Sequence, residues 1–308
     1  MDKIPRYLYP IEEPLEIPHY LSNTELGINF TKGGAPKKTR KFKKKALALL
    51  CRTLHKEHID FLKQITKYYD IYFICDTKAS DLNLPTIDNM HFIHYTDEFV
   101  ANKGYRNSCM YINKKDSPEG LIGSWDKAIY YFCEVNTKYS HVWFIEDDVF
   151  IPLPNTLVNI DKKYPNTYDL LAASNYKSED GNLKSWGVSN KWNKLKKADY
   201  VLPLPWFRSM QCANRVSKKL SLKVKDMVKK HHTLVFHEYM FNTLVYMNNL
   251  KIKVIDELKY IKYRHNNNTN WNYDEIQFDK LYHPMKDMKL QKVFHELIKK
   301  KDSLERSM

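Results

Sequence analysis

Glycine is scarce: the chain has 8 in 308 residues, well under half of the usual share of about 7%. Neither G-x-G-x-x-G nor G-x-x-x-x-G-K-[ST] occurs. Phosphate cradles built from Gly-rich backbone are therefore excluded, and with them Rossmann dinucleotide binding and P-loop chemistry. A phosphorylated ligand would have to be met by a metal ion or by Lys and Arg. Long apolar runs are missing as well, since none approaches the roughly 18 residues of a membrane span. The opening stretch MDKIPRYLYPIEEPLEIPHY is broken by Pro and charge and does not read as a signal peptide. The expectation is a soluble protein. No C-x-x-C pair exists, which argues against a structural zinc site of that kind. Cys51, Cys75, Cys109, Cys133 and Cys212 are odd in number and sit mostly inside apolar patterns, as reduced thiols of a cytoplasmic protein would. The sequons at Asn29 and Asn267 mean little without a secretory route.

Positive charge is abundant: 50 Lys+Arg against 36 Asp+Glu give a net +14. Residues 32–45 hold eight of these cations and no acid, more than half of the excess. This run reads either as a docking arm for nucleic acid or an anionic membrane surface, or as a solvated lead-in to the first core strand. Lys218, Lys219, Lys223, Lys225, Lys229 and Lys230 recur at helical spacing and read as a solvated helix face.

Beyond a Pro-rich and basic extension over 1–42, β and α patterns alternate. Continuous apolar runs at 46–51 (ALALLC), 71–75 (IYFIC), 91–95 (HFIHY) and 141–145 (HVWFI) predict buried strands. Amphipathic stretches around 55–69 and 124–135 predict the helices between them. Strands of this kind separated by helices indicate a mostly parallel central sheet covered on both faces, an α/β fold. Further along, 170–174, 200–204 and 252–255 are candidate strands, and 216–230, 238–249 and 287–301 candidate helices. The expected organisation is the extension 1–42, a single catalytic domain over 43–270, and a C-terminal helical segment over 271–308 packed on it.

The fourth strand runs straight into Glu146-Asp147-Asp148. Three consecutive carboxylates after an apolar strand repel one another unless a cation joins them, and ligands of open α/β sheets bind at the carboxyl ends of the strands. Mg²⁺ or Mn²⁺ would take one or two of these carboxylates and fill its other positions with water and phosphate oxygens. An acidic turn capping the next element is the structural alternative.

The run FIEDDVF at 144–150 resembles the D-x-D-type motif of GT-A fold glycosyltransferases, and its E-D-D form resembles the N-acetylglucosaminyltransferase-type members. The resemblance implies a GT-A-like sheet, a nucleotide-sugar donor such as a UDP-sugar, and Mn²⁺ or Mg²⁺. It makes Asp148 a metal ligand and sets Glu146 and Asp147 on the sugar nucleotide. Phe236-His237-Glu238-Tyr239 falls where the family has its x-E-D motif, so Glu238 becomes the base of an inverting enzyme, with Tyr239 where Asp is common. Tyr263-Arg264-His265 falls where many members carry a C-terminal His, making His265 a second metal ligand. Gly104-Tyr105-Arg106-Asn107 resembles the stretch that meets the donor nucleotide, assigning Arg106 and Asn107 to it.

Glycosyl transfer has to stabilise a departing diphosphate, which a metal and Lys127, Arg106 or Arg264 would help to do, and to remove a proton from the acceptor hydroxyl. Arg52-Thr53 after the first strand and Asp76 after the second lie where a base and ribose would be held; Asp76 reads equally as a turn residue. For Glu238 the alternative is a carboxylate favoured by a helix N-terminus. For His265 it is an ordinary loop histidine, and His237 reads as structural. Trp186, Trp192 and Trp206 are candidates for an acceptor platform, against core packing for Trp206. The acceptor would be a glycan, a protein or a lipid, with no stable nucleic-acid complex and with peripheral contact to an anionic membrane open to residues 32–45. The alternative functions are a metal-dependent nucleic-acid enzyme or binder, favoured by the charge, and a non-catalytic scaffold of the same fold. Against the first stand the missing Asp…Glu-x-Lys nuclease spacing, zinc-finger pattern and RNP-like motif.

Overall fold

The computed structural model describes residues 45–76, 87–109, 122–181, 200–263 and 271–307. By its internal contacts the chain divides into Met1–Lys41 and Phe42–Met308, and every described residue belongs to the second unit. The basic run 32–45 lies outside the described residues except for Lys45, and Trp186, Trp192, Arg264, His265 and both sequons lie outside them entirely.

The apolar runs become strands. β1 (Lys45–Cys51) pairs in parallel with β2 (Tyr69–Cys75), and β2 with β3 (Met90–Ile93); β4 (His141–Glu146) pairs in parallel with the other edge of β1. The connections carry α1 (Lys56–Leu62), α2 (Asp97–Asn102) and α3 (Ser124–Tyr130), the last continued by a π-helical turn over Tyr131–Val135. After β4 come α4 (Asn155–Lys163), β5 (Leu170–Ala172), and a two-stranded ribbon of β6 (Tyr176–Ser178) with β7 (Trp206–Arg208). Then follow β8 (Ala213–Ser217), α5 (Lys218–His231), α6 (His237–Met247) and β9 (Ile252–Val254). The chain closes with β10 (Tyr260–Ile261) parallel to β11 (Tyr282–His283), and α7 (Met288–Ser307). No helix among the described residues is long and apolar enough to cross a membrane.

The central sheet has seven strands in the order β3-β2-β1-β4-β8-β5-β9, with β8 alone running against the rest. The expected α/β fold with a mostly parallel sheet covered on both faces is thus what the chain adopts. Strand alternation divides the core. Ala46, Ala48, Leu50, Tyr72, Ile74, Val142 and Phe144 face one side, packed with residues of α3, α5 and α6. Leu47, Leu49, Ile71, Phe73, Trp143 and Ile145 face the other, with residues of α1 and α4. A third cluster joins Phe150 to Trp271, Tyr282, Met285, Phe294 and Ile298, so the C-terminal segment packs on the turn that follows β4.

One expected strand fails and one unexpected strand takes a central place. Residues 200–204 form no strand: Pro203 and Pro205 lack the N–H a ladder needs, and the buried Leu202 instead offers its carbonyl to Trp206 Nε1 at 2.7 Å. β8 fills the gap beside β4 although its interior includes fully buried Asn214 and Arg215. Arg215 is accommodated because Asp161 Oδ1 at 2.5 Å and the carbonyls of Tyr164 and Pro165, each at 3.1 Å, accept from its guanidinium.

Candidate active site

β1, β2, β4 and β5 all end at the same edge of the sheet, and the loops there gather the acidic run with its neighbours. Hydrogen bonding fastens this run at both sides: Glu146 N–H donates to Cys212 O at 2.8 Å and Asp147 N–H to Leu50 O at 2.9 Å. The three carboxylates then part. Asp147 Oδ2 accepts from the backbone N–H of Arg52 at 3.2 Å. Glu146 and Asp148, two positions apart, turn together towards His283, whose Nε2 lies 3.9 Å from Glu146 Oε2 and 3.4 Å from Asp148 Oδ1. Glu146 Oε1 accepts from Trp125 Nε1 at 2.7 Å, and Asp148 Oδ2 from Lys286 Nζ at 2.8 Å.

His283 reaches the carboxylates because β11 is strapped to the turn after β4. Phe150 N–H donates to Tyr282 O at 2.8 Å, Tyr282 N–H returns the bond to Phe150 O at 3.1 Å, and Met285 N–H donates to Asp148 O at 2.7 Å. His283 Nδ1 stands 2.8 Å from the carbonyl of Lys262. A carbonyl only accepts, so Nδ1 carries a hydrogen, and Nε2 is the ring nitrogen turned towards Glu146 and Asp148. The sequence reading did not name His283; it assigned the C-terminal histidine of the site to His265, which lies outside the described residues. The only sequence signal was a histidine inside the apolar run LYHPM at 281–285.

The residues fit a hard divalent cation. Asp148 Oδ1 is buried with no close hydrogen bond, its nearest polar neighbour being His283 Nε2 at 3.4 Å, and such an oxygen needs a proton or a cation to meet it. Burial opposes the ionised form of Asp148, yet His283 and Lys286 outweigh it and hold the carboxyl below its usual range. Burial likewise opposes a charged His283, but Asp148 and Glu146 carry its pKa upward. A divalent cation would displace that proton and satisfy the ring and both carboxylates together. Two carboxylates and an imidazole suit Mn²⁺ or Mg²⁺. Glu146, Cys212 and His283 offer ligand atoms within 4.8 Å of one another. Burial first, then the carboxylates of Glu146, Asp148 and Glu238, keep the Cys212 thiol well above its usual pKa.

The Glu238 carboxylate lies within electrostatic reach of the Cys212 thiol. It stands in the first turn of α6, 9% exposed, and its carbonyl accepts from Ser209 N–H at 2.9 Å. Trp125 couples this helix to β4: its Nε1 holds Glu146, and its ring stacks on His237 with centroids 4.4 Å apart. His237 is structural, with Nδ1 and N–H both meeting Ser108 O, at 2.6 and 2.9 Å. Burial draws the Arg208 guanidinium down to about 10, and the charges of Glu238 and Tyr176 oppose the shift.

The remaining candidates divide. Arg52 and Thr53 are exposed at the end of β1, beside Asp147. Asp76 is half-buried after β2; burial raises its pKa and Lys127 opposes the rise. The Lys127 ammonium, 1% exposed, is committed to this strand end, 2.8 Å from Asp97 Oδ1, 4.0 Å from Asp76 Oδ1 and 3.4 Å from Asp76 O. It orients Asp76. Asn107, at φ +73°, donates to Thr233 Oγ1 at 3.0 Å, and Arg106 O accepts from Leu234 N–H at 3.0 Å. These bonds tie the 104–109 loop to the entry of α6, while Arg106 Nε is buried without a hydrogen-bond partner. Trp206, 2% exposed, is a core residue.

No protein-family model matches the chain, and no curated protein matches it. Solved structures do. Mouse xyloside xylosyltransferase 1 in its apo form is 12% identical with TM-score 0.33, over 69% of this chain and 85% of that one. The 4-diphosphocytidyl-2C-methyl-D-erythritol synthase of Anaerococcus prevotii DSM 20548 is 9% identical with TM-score 0.36, over 69% and 89%. The mannosyltransferase Ktr4p of S. cerevisiae is 14% identical with TM-score 0.31, over 63% and 62%. At these scores the similarities add nothing to what the geometry of the site itself supports.

Proposed function

We propose that this chain is a metal-dependent glycosyltransferase that moves a sugar from a nucleoside diphosphate donor, with a UDP-sugar the expected donor, to an acceptor hydroxyl. The observation that carries the reading is the convergence of Glu146, Asp148 and His283 at the end of β4, with Glu238 on the neighbouring helix. Asp148, Glu146 and His283 would hold the cation. When bound, it supplies positive charge to the departing diphosphate. Asp76, oriented by Lys127, and the exposed Arg52-Thr53 backbone lie along the strand ends on the side of Asp147, where the nucleoside would be held. Glu238 takes the proton from the acceptor hydroxyl as the sugar is transferred, which makes inversion the expected outcome. Lys286, already on Asp148 Oδ2, provides a second positive charge at the same place.

The test is release of UDP from a panel of UDP-sugars with Mn²⁺ or Mg²⁺, and with chelator, by the wild type and by Asp148→Ala. Turnover should require the cation and be lost in the variant; an unchanged rate in Asp148→Ala sinks the metal assignment. Glu238→Gln should retain UDP–Mn²⁺ binding and lose transfer, and normal transfer would remove Glu238 as base. Thermal stabilisation by DNA or RNA, and not by UDP with Mn²⁺, would favour the nucleic-acid reading instead.

A further inference from the structure

Behind Glu238 runs a chain of buried side-chain amides. Asn214 and Gln211 are fully buried and Asn242 is 1% exposed. Asn214 Nδ2 donates to Gln211 Oε1 at 2.5 Å, Gln211 Nε2 to Asn242 Oδ1 at 2.6 Å, and Asn242 Nδ2 to Asn175 Oδ1 at 2.8 Å. Two backbone carbonyls set its direction. Asn214 Nδ2 also donates to Gln211 O at 3.4 Å and Asn242 Nδ2 to Ser174 O at 3.1 Å, and since carbonyls only accept, neither amide can be turned round. The relay therefore ends with the carbonyl of the exposed Asn175 side chain occupied and its NH₂ group outside the relay. That group makes no hydrogen bond among the described residues.

Asn175 lies in the loop after β5, at the strand end where β4 delivers the acidic run. Asn242 is four residues beyond Glu238 and so shares its helix face, which brings the end of the relay to the side of the candidate base. The next residue, Tyr176, is 61% exposed. The Arg208 guanidinium lies over the ring, 5.3 Å from its centroid. An exposed aromatic ring next to a planar amide donor matches the two surfaces of a sugar ring, the apolar C–H face and the hydroxyl rim.

We propose that Asn175 and Tyr176 form the binding site for a carbohydrate acceptor, with the Tyr176 ring under the sugar and the Asn175 NH₂ donating to the oxygen of the reacting hydroxyl. This rests on the transferase reading above. A hydroxyl whose oxygen accepts from Asn175 keeps its own hydrogen for Glu238, so the direction of the relay determines where the proton points. Gln211 and Asn242 are positioning residues, and a lipid chain or a protein loop is what this donor-plus-platform pair does not select.

The test uses methyl glycosides of glucose, galactose, mannose, xylose and N-acetylglucosamine as probes, with UDP and Mn²⁺ present. Binding is read by saturation-transfer NMR and calorimetry, and transfer by product formation with the donor. The wild type should bind at least one probe, and Asn175→Ala and Tyr176→Ala should each weaken it by about tenfold. Both residues are exposed, so thermal unfolding near that of the wild type shows that the fold survives. Asn175→Asp reverses the polarity by offering an acceptor to the hydroxyl hydrogen; kcat should fall about tenfold or more while KM stays within about threefold. Absence of binding by every probe, or undiminished affinity in both alanine variants, overturns the proposal. So does an unchanged kcat in Asn175→Asp. Failure of the wild type to bind UDP with Mn²⁺ would overturn the transferase reading itself, which separates the two.

Discussion

His283 and His265 make opposite predictions about one metal. If the cation is held as the geometry indicates, His283→Ala should weaken Mn²⁺ affinity by at least about tenfold, on the scale of losing a ligand, and His265→Ala should not. Calorimetric titration of Mn²⁺ in the presence of UDP distinguishes them, and the reverse pattern restores the assignment drawn from sequence. A second residue-scale effect lies at the opposite end of β4. Burial, and then the Arg215 charge, draw His141 down to about 4, with Lys45 and Asp161 as its other charged neighbours. The unfolded chain therefore binds a proton at this position that the folded chain does not, and stability falls as pH drops from about 6.5 towards 4. Asp126 acts in the other direction. Burial pushes its carboxyl up to about 7 despite the N–H donors of Gly123 and Ser108, so its contribution is present below its unfolded value and lost as pH rises through 7. Melting temperature against pH should show the acid-side loss, and His141→Gln should flatten it; an unaltered profile would mean that other groups dominate.

Among the elements, the strands best read from sequence were those buried on both faces and free of polar residues. β1, β2 and β4 announce themselves as unbroken apolar runs. β8 does not, because Asn214 and Arg215 sit in its interior, and their partners, Gln211 within the turn and Asp161 on α4, become apparent only when the chain is folded. The hydropathy of 200–204 pointed to a strand for the converse reason, since apolar character does not reveal that Pro203 and Pro205 deny it a ladder. The loop at 104–109 offers a sharp test of local design. Gly104 has φ +83°, and a Cβ there would stand 3.0 Å from His232 Nδ1 and 3.1 Å from its backbone. Gly104→Ala should cost about 1–3 kcal/mol, measured by denaturant unfolding, and should loosen the entry to α6, where Glu238 stands. A cost below a few tenths would show that the loop adapts.

For the whole molecule, the candidate site closes between the central sheet and the C-terminal segment. Asp148 belongs to the turn after β4, His283 to β11, and the strap between them is three backbone hydrogen bonds and the cluster around Phe150. Binding of Mn²⁺ with UDP should therefore stabilise the fold as a unit, by about 2.7 kcal/mol at a hundred times Kd. Amide exchange at Tyr282 and Met285 should slow along with that at Glu146 and Asp147. Protection confined to β4 would mean that His283 takes no part. The same dependence on distant pieces governs stability. Arg215, on β8, is fully buried against Asp161 and carbonyls from the loop after α4, and Arg215→Met should cost about 3–5 kcal/mol because Asp161 would keep only Lys45 at 2.9 Å and Tyr69 at 2.7 Å as partners.

The apolar runs and the Glu146-Asp147-Asp148 cluster by themselves determined an α/β sheet with an acidic run at the end of the fourth strand. Those features are local: burial of a strand and repulsion among adjacent carboxylates need no knowledge of the rest of the chain. Only the tertiary structure decided which carboxylates turn together, that His283 faces them, and where Glu238 and the amide relay stand. Glu146 and Asp148 share a direction while Asp147 turns away because hydrogen bonds to Cys212 and Leu50 pin the backbone between them, and His283 arrives through a strand pairing that linear order does not encode.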